Sequence, residues 1–340
     1  MTDARYRGIA VISPGDVHAL IETKCSTGKA TVAPREAGTA KQKEGVGRVV
    51  GSLVSDIVLL KLLNSVLKLM NLPGLILLAC LPLLAGCADS LVLPENHELV
   101  ATSGLHRRML EVGGKAVEVW TTRSPGAARR QPEDYVLFFV GKEDRVERWV
   151  QIVADGWGQR PVEVWGMNYP GSGGSQGPTH LASVGPDGLA TYDAMRDQAG
   201  ARPIFLHAGS FGTVVALCVA ARRPVAGLVL HNPPPLKQLI LGRYGWWNLW
   251  LLAYPVAMHV PADLDSIANG ARCRAPAVFV LSGADQVVPP KYHQLVVDAY
   301  AGPKRIIDVP GARHNDPLPR EAGEQVQRAM DWLLAGQFTH

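Results

Sequence analysis

Residues 203–221 read PIFLHAGSFGTVVALCVAA. PIFLHA (203–208) is a short apolar run of strand type, and TVVALCVAARR (213–223) has the length and composition of a helix. Ser210 stands at the join, with Ala208 two residues before it and Gly212 two residues after it. A strand that turns straight into a helix leaves no room for larger side chains at those two positions. The tightness of such a turn projects the serine hydroxyl into the space beyond the strand. The amides that open the helix add partial positive charge at the same place.

Working outward, HRRMLEVGGKAVEVWTTRS (106–124) alternates around Gly113-Gly114 and predicts a β-hairpin. YVLFFV (135–140), VEVWGMNY (162–169), GLVLHN (227–232), AVFVLS (277–282) and RIIDVP (305–310) read as further short, buried strands. Helices are expected near 146–157, 186–198, 290–301 and 318–335, and the stretch before residue 106 reads as a polar linker. Strands that are apolar along their length and alternate with helices predict an α/β fold: a mostly parallel sheet covered by helices on both faces. Residues 234–270 interrupt this rhythm as an insertion, with Trp246, Trp247, Trp250 and Tyr254 inside nine residues.

Composition narrows the function classes. At 47% hydrophobic and 19% charged residues the chain is too apolar for disorder. Residues 1–86 hold 10 Lys/Arg against 6 Asp/Glu, and the rest of the chain is balanced, so no basic stripe points to nucleic acid. The five cysteines, at 25, 80, 87, 218 and 273, form neither a zinc cage nor a redox pair. With no Walker-type loop and no GxGxxG opening a helix, no metal and no organic cofactor are expected.

The strand–Ser210–helix join resembles the nucleophile elbow of the α/β-hydrolase family, usually written GxSxG, with Ala208 in place of the first glycine. The resemblance implies that an acid and then a histidine follow, each past its own strand. Asp285 lies in GADQVVP just beyond AVFVLS, and His314 lies in GARHND beyond the next strand. Alone, an aspartate in such a turn is a cap and a loop histidine is a solvated one. Together, in this order, they read as a triad. Ser210 is the nucleophile, His314 removes its proton, and Asp285 holds the imidazole tautomer and stabilises its cation. His207 and His231, at strand ends, read as structural; His259, in the insertion, and His293, on a helix, are weaker candidates.

The family's oxyanion hole implies two backbone donors: the N–H of Phe211, after the nucleophile, and that of Lys142, in the loop after YVLFFV. NYPGSGGSQG (168–177) is similar to the family's Tyr/Gly/Ser loop, where a tight turn against the sheet and a substrate contact are both open readings. The match is closest to the small-lid branch of the α/β-hydrolases and covers roughly residues 105–335. It makes 234–270 the lid, whose aromatics either line an acyl pocket, meet a lipid surface or pack onto the core. The implied activity is hydrolysis of carboxylic esters or thioesters through an acyl-serine. A serine peptidase or amidase, or a silent scaffold of the same fold, remains open.

Ahead of this domain, Leu72–Ala88 reads LPGLILLACLPLLAGCA, without a charge and short of the roughly 20 residues of a membrane span. Leu84-Ala85-Gly86-Cys87 resembles the lipobox of bacterial lipoprotein signals, which implies a lipid on the Cys87 sulfur. The expected organisation is an extension over 1–65, with a true start near Val66 or Met70, a signal or anchor over 66–86, and the domain over 87–340. The expected setting is the cell envelope: a membrane-anchored lipoprotein facing the periplasm, acting on a small-molecule or lipid-like ester. The alternative is a single uncleaved N-terminal anchor, against which Lys61 and Lys68 count.

Overall fold

The computed structural model describes residues 88–246 and 250–335. Cys87, the 66–86 segment, the 1–65 extension and Trp247 lie outside the described residues. The hairpin forms as expected: β1 (His106–Val112) and β2 (Lys115–Arg123) turn at Gly113-Gly114. There follow β3 (Asp134–Phe139), α1 (Val150–Gly156), β4 (Val162–Met167), α2 (Leu181–Ala199), β5 (Ile204–Gly209) and α3 (Phe211–Ala220). The chain continues through β6 (Gly227–His231), α4 (Leu236–Tyr244), α5 (Ala253–His259) and α6 (Ser266–Gly270). It closes with β7 (Ala277–Ser282), α7 (Pro290–Ala299), β8 (Lys304–Val309) and α8 (Arg320–Ala335).

The eight strands make one sheet in the order β1-β2-β4-β3-β5-β6-β7-β8. Only the β1–β2 and β2–β4 pairs are antiparallel; β4 to β8 run parallel. Every residue of β3, β4 and β7 is buried, the mark of strands covered on both faces. β1 and β8 alternate exposed and covered residues and form the polar edges. The central helix α3 is apolar all round because it is buried all round, from Phe211 to Val219. Register places the carboxyl ends of β3, β5, β6, β7 and β8 side by side, so the loops leaving them converge along one edge.

The stretch read as a polar linker is partly docked instead. Residues 88–92 are helical and Leu93 is buried. Asp89 accepts from the Leu181 N–H at the start of α2 (3.0 Å) and sits 3.0 Å from His180 Nδ1 and 3.1 Å from His259 Nε2. One carboxylate thus ties the insertion helix α5 to the start of α2. No helix among the described residues is long and apolar enough to cross a membrane.

Candidate active site

Ser210 caps α3 with φ 48° and ψ −124°, a left-handed turn that a side chain rarely adopts. Its N–H donates to the His231 carbonyl (2.8 Å), and its own carbonyl accepts from the Thr213 N–H (2.9 Å) and hydroxyl (2.7 Å). Gly212 is required by close approach. A Cβ there would lie 2.6 Å from the Phe139 carbonyl carbon, 2.7 Å from the Val140 oxygen, and closer still to the Phe139 oxygen. Ala208 is fully buried.

The three sequence candidates meet. His314 Nε2 lies 2.9 Å from Ser210 Oγ, and His314 Nδ1 lies 2.6 Å from Asp285 Oδ2. With Nδ1–H donating to the carboxylate, Nε2 is left to accept the serine proton; the tautomer follows from the network. Burial opposes ionisation of Asp285, yet the neighbouring His293 and His314 rings, the His314 charge and the Val288 N–H hold its carboxyl well below the usual carboxylate range. Its Oδ1 accepts from the Val287 and Val288 N–H groups at 2.8 and 2.9 Å.

Two backbone amides are expected to receive an oxyanion, those of Phe211 and Lys142. The Phe211 N–H opens α3, and neither it nor the Lys142 N–H donates to another described residue. The loop after β3 runs against Ser210: a Cβ on Gly141 would stand 3.6 Å from Ser210 Cβ. The Lys142 ammonium pairs with Glu143 (2.9 Å) at the surface, in accord with a solvated loop lysine. Tyr169 joins the two donor segments, its hydroxyl donating to the Val140 carbonyl (2.7 Å) and its ring meeting Phe211 edge-on at 5.4 Å.

The NYPGSGGSQG loop is held as a turn against the sheet. The Gly174 N–H and Asn168 Nδ2 both donate to Glu118 Oε2 at 2.8 Å, and Ser175 bridges the Asn168 carbonyl (2.7 Å) and the Glu118 N–H (2.9 Å). His207 and His231 stack at 5.2 Å with nearly parallel rings. Desolvation, with the His231 ring beside it, pushes His207 down to about 3, and desolvation pushes His231 down to about 4.

Of the insertion aromatics, Trp246 (69% exposed), Trp250 (49%) and Tyr254 (56%) stand in solvent, so these three do not pack into the core. The insertion is nonetheless docked beside the Asp285 loop. Arg243 on α4 donates to the Gln286 carbonyl, and Gly242 lies against the Tyr292 hydroxyl.

Sequence reasoning missed two parts of this site and left a third, His293, only as a weaker candidate. The paired backbone donors of Val287 and Val288 are one. His293, on α7, places Nε2 3.2 Å from Asp285 Oδ2. Asn232, past β6, donates to the His314 carbonyl (3.2 Å) and Ser282 Oγ (3.1 Å). Cys218 and Cys273 are free, buried thiols. Among the described residues no group of three His, Cys, Asp or Glu side chains is placed to hold a metal ion.

In comparison with known proteins, no family model matches the chain. An uncharacterised protein of Mycobacterium tuberculosis is 33% identical over 154 residues, 44% of this chain and 52% of that protein. The Caenorhabditis elegans alpha/beta hydrolase domain-containing protein aho-3 is 26% identical over 156 residues, 45% and 44% of the two chains. The matches therefore span about half the length of these curated relatives. The Pyrococcus furiosus esterase Pf2001 superposes with a TM-score of 0.55 at 13% identity, covering 71% of this chain and 96% of that one. This chain has the α/β-hydrolase fold. Within that fold, the Ser210–His314–Asp285 line lies where the loops after β5, β8 and β7 gather, at the carboxyl edge of the sheet.

Proposed function

We propose that the protein is a serine hydrolase of carboxylic esters or thioesters, working through an acyl-Ser210 intermediate. The observation that carries this is the unbroken line from Ser210 Oγ to His314 Nε2 (2.9 Å) and from His314 Nδ1 to Asp285 Oδ2 (2.6 Å). Ser210 attacks the acyl carbon while His314 takes its proton; the imidazolium is stabilised by Asp285 and then protonates the leaving group. Water repeats the sequence in reverse and frees the acid. The N–H groups of Phe211 and Lys142, both without a partner among the described residues, receive the oxyanion.

The substrate is proposed to be lipid-like. Trp246, Trp250 and Tyr254 are joined in the insertion by exposed Leu251 and Met258, and aromatic side chains of this kind favour the interface between lipid and water. A lipid on Cys87 holding the domain at a periplasm-facing membrane would bring that surface to its substrate. The likeness of fold to an esterase agrees with the reading, and the fold alone decides no substrate.

The test is labelling of the full-length protein by a fluorophosphonate, with hydrolysis of p-nitrophenyl esters of rising chain length and of matching amides. Ser210→Ala abolishes labelling and leaves the thermal unfolding midpoint in place. Labelling that survives in Ser210→Ala refutes the nucleophile. Preference for amides replaces the esterase reading with a peptidase, and a wild type inert to both reagents leaves a scaffold.

A further inference from the structure

Asp285 has more hydrogen-bonding company than a triad requires. Oδ1 is tied to the Val287 and Val288 amides, and Oδ2 accepts from His314 Nδ1 at 2.6 Å. Beside the same Oδ2 stands His293 Nε2, 3.2 Å away, from the first turn of α7. His293 is 1% exposed, and neither of its ring nitrogens has a fully formed hydrogen bond among the described residues. A buried imidazole with idle nitrogens is costly to keep. The Asp285 carboxylate stands within its reach, at a distance that suits a hydrogen bond that the geometry leaves unformed. Catalytic hydrogen bonds commonly look this way before a substrate tightens them.

We infer that His293 is a positioning residue for the triad: its Nε2–H donates to Asp285 Oδ2 and keeps that oxygen in line with His314 Nδ1–H while the imidazolium forms. The inference rests on the reading of Ser210, His314 and Asp285 as a catalytic triad. The two backbone bonds hold Oδ1, and a second donor on Oδ2 further restrains rotation about Cβ–Cγ, which would carry Oδ2 out of line with His314 Nδ1–H. A carboxylate oriented in advance stabilises a developing cation more than one that reorients as the charge appears. His293 acts only through Asp285. It lies eight residues beyond that aspartate in sequence, and the helix opened by Pro290 returns it to the carboxylate.

The experiment compares two donor-free variants, His293→Phe and His293→Leu, with His293→Gln, which keeps an amide N–H. All are made in the full-length protein. Thermal unfolding, kcat and KM on an ester, and the low-field N–H proton resonance of His314 are measured for each. Loss of one donor to the carboxylate is expected to lower kcat about tenfold at unchanged KM and to shift or broaden the resonance. His293→Gln is expected to recover kcat to within about threefold and to restore the resonance. Wild-type kcat and resonance in either folded donor-free variant overturn the inference. So does a His293→Gln variant that falls as far as His293→Leu, the pattern of a side chain that only fills space. The resonance is read without turnover, so an inert wild type counts against the hydrolase reading, while an unmoved resonance counts against His293.

Discussion

Replacing Gly212 by alanine puts one methyl group between α3 and β3, where there is no space for it. The added Cβ would meet the Phe139 carbonyl carbon at 2.6 Å and the Val140 oxygen at 2.7 Å. Ordinary carbon–carbon contact begins near 3.5 Å, so the helix and the strand must part by about 1 Å. Neither yields easily: β3 is bonded to β4 on one side and β5 on the other, and α3 is buried from Phe211 to Val219. Overpacking a core costs about 1–3 kcal/mol, and a clash of backbone on backbone belongs at the top of that range. For a domain of this size about 3 kcal/mol lowers the unfolding midpoint by roughly 6–12 °C. The surviving folded molecules are also impaired, because the shift moves the Phe211 amide and Ser210 relative to His314. A displacement of about 1 Å in a catalytic constellation costs on the order of 100-fold in rate. Gly209 supplies the control, since a Cβ there meets nothing within 4 Å. The assay is a thermal melt and a time course of fluorophosphonate labelling for Gly212→Ala and Gly209→Ala beside the wild type. Gly209→Ala is expected to melt within about 2 °C of wild type, as changes away from crowded sites do. Equal behaviour of the two variants refutes the packing argument.

Asn168→Ala removes the donor shared by Glu118 (2.8 Å) and Glu147 (2.9 Å), two buried carboxylates. The expected loss is about 3 kcal/mol, read as a lower urea midpoint, because each carboxylate keeps its burial and loses a bond. Asp187 is buried in α2, where desolvation, eased by the charge of Lys115, raises its pKa from 3.8 to about 6. Between those values the folded state binds more protons than the unfolded state, so stability falls as pH rises through about 6 and the penalty persists above it. Asp187→Asn is therefore expected to match wild type near pH 4 and to exceed it at pH 7.5 by up to about 3 kcal/mol. A gap of the same size at both pH values contradicts that account.

The central strands were legible because each is a nearly continuous apolar run, and a run buried on both faces has few alternatives; the β1–β2 hairpin was legible from its alternation around Gly113-Gly114. Asp285 and His314 were legible for a related reason. Each follows its own strand directly, so the sheet register alone brings their loops together. The partners that hold them were not. His293 belongs to a helix whose approach to Asp285 depends on α7 packing along β7, and Asn232 reaches His314 across two strands. Neither contact leaves a pattern in the chain. Asp89 looked like part of a polar linker because its bonds to Leu181, His180 and His259 join segments 91 to 170 residues away. The insertion was ambiguous for a different reason. A Trp-rich stretch reads the same whether its rings face the core or the solvent, and only exposure separates the two.

Backbone strain in this domain is gathered at the carboxyl edge of the sheet. Four non-glycine residues among the described ones have positive φ: Glu143, Ser210, Asn232 and Trp250. Three of them sit in the turns leaving β3, β5 and β6, and only Trp250 lies in the insertion. Strain of this kind costs about 1–3 kcal/mol at each position and persists only where the surroundings fix it. At Ser210 the fixing bonds are all backbone or Thr213: Ser210 N–H to the His231 carbonyl, and the Thr213 N–H and hydroxyl to the Ser210 carbonyl. None uses the serine hydroxyl. At Asn232 the side chain ties the turn to Ser282 and to the His314 carbonyl, so the strained residue after β6 also anchors the loop that carries His314. The elbow is therefore held independently of the group it presents. That is why Ser210→Ala, which removes the hydroxyl and keeps every bond that shapes the turn, separates chemistry from folding, whereas Gly212→Ala attacks both at once.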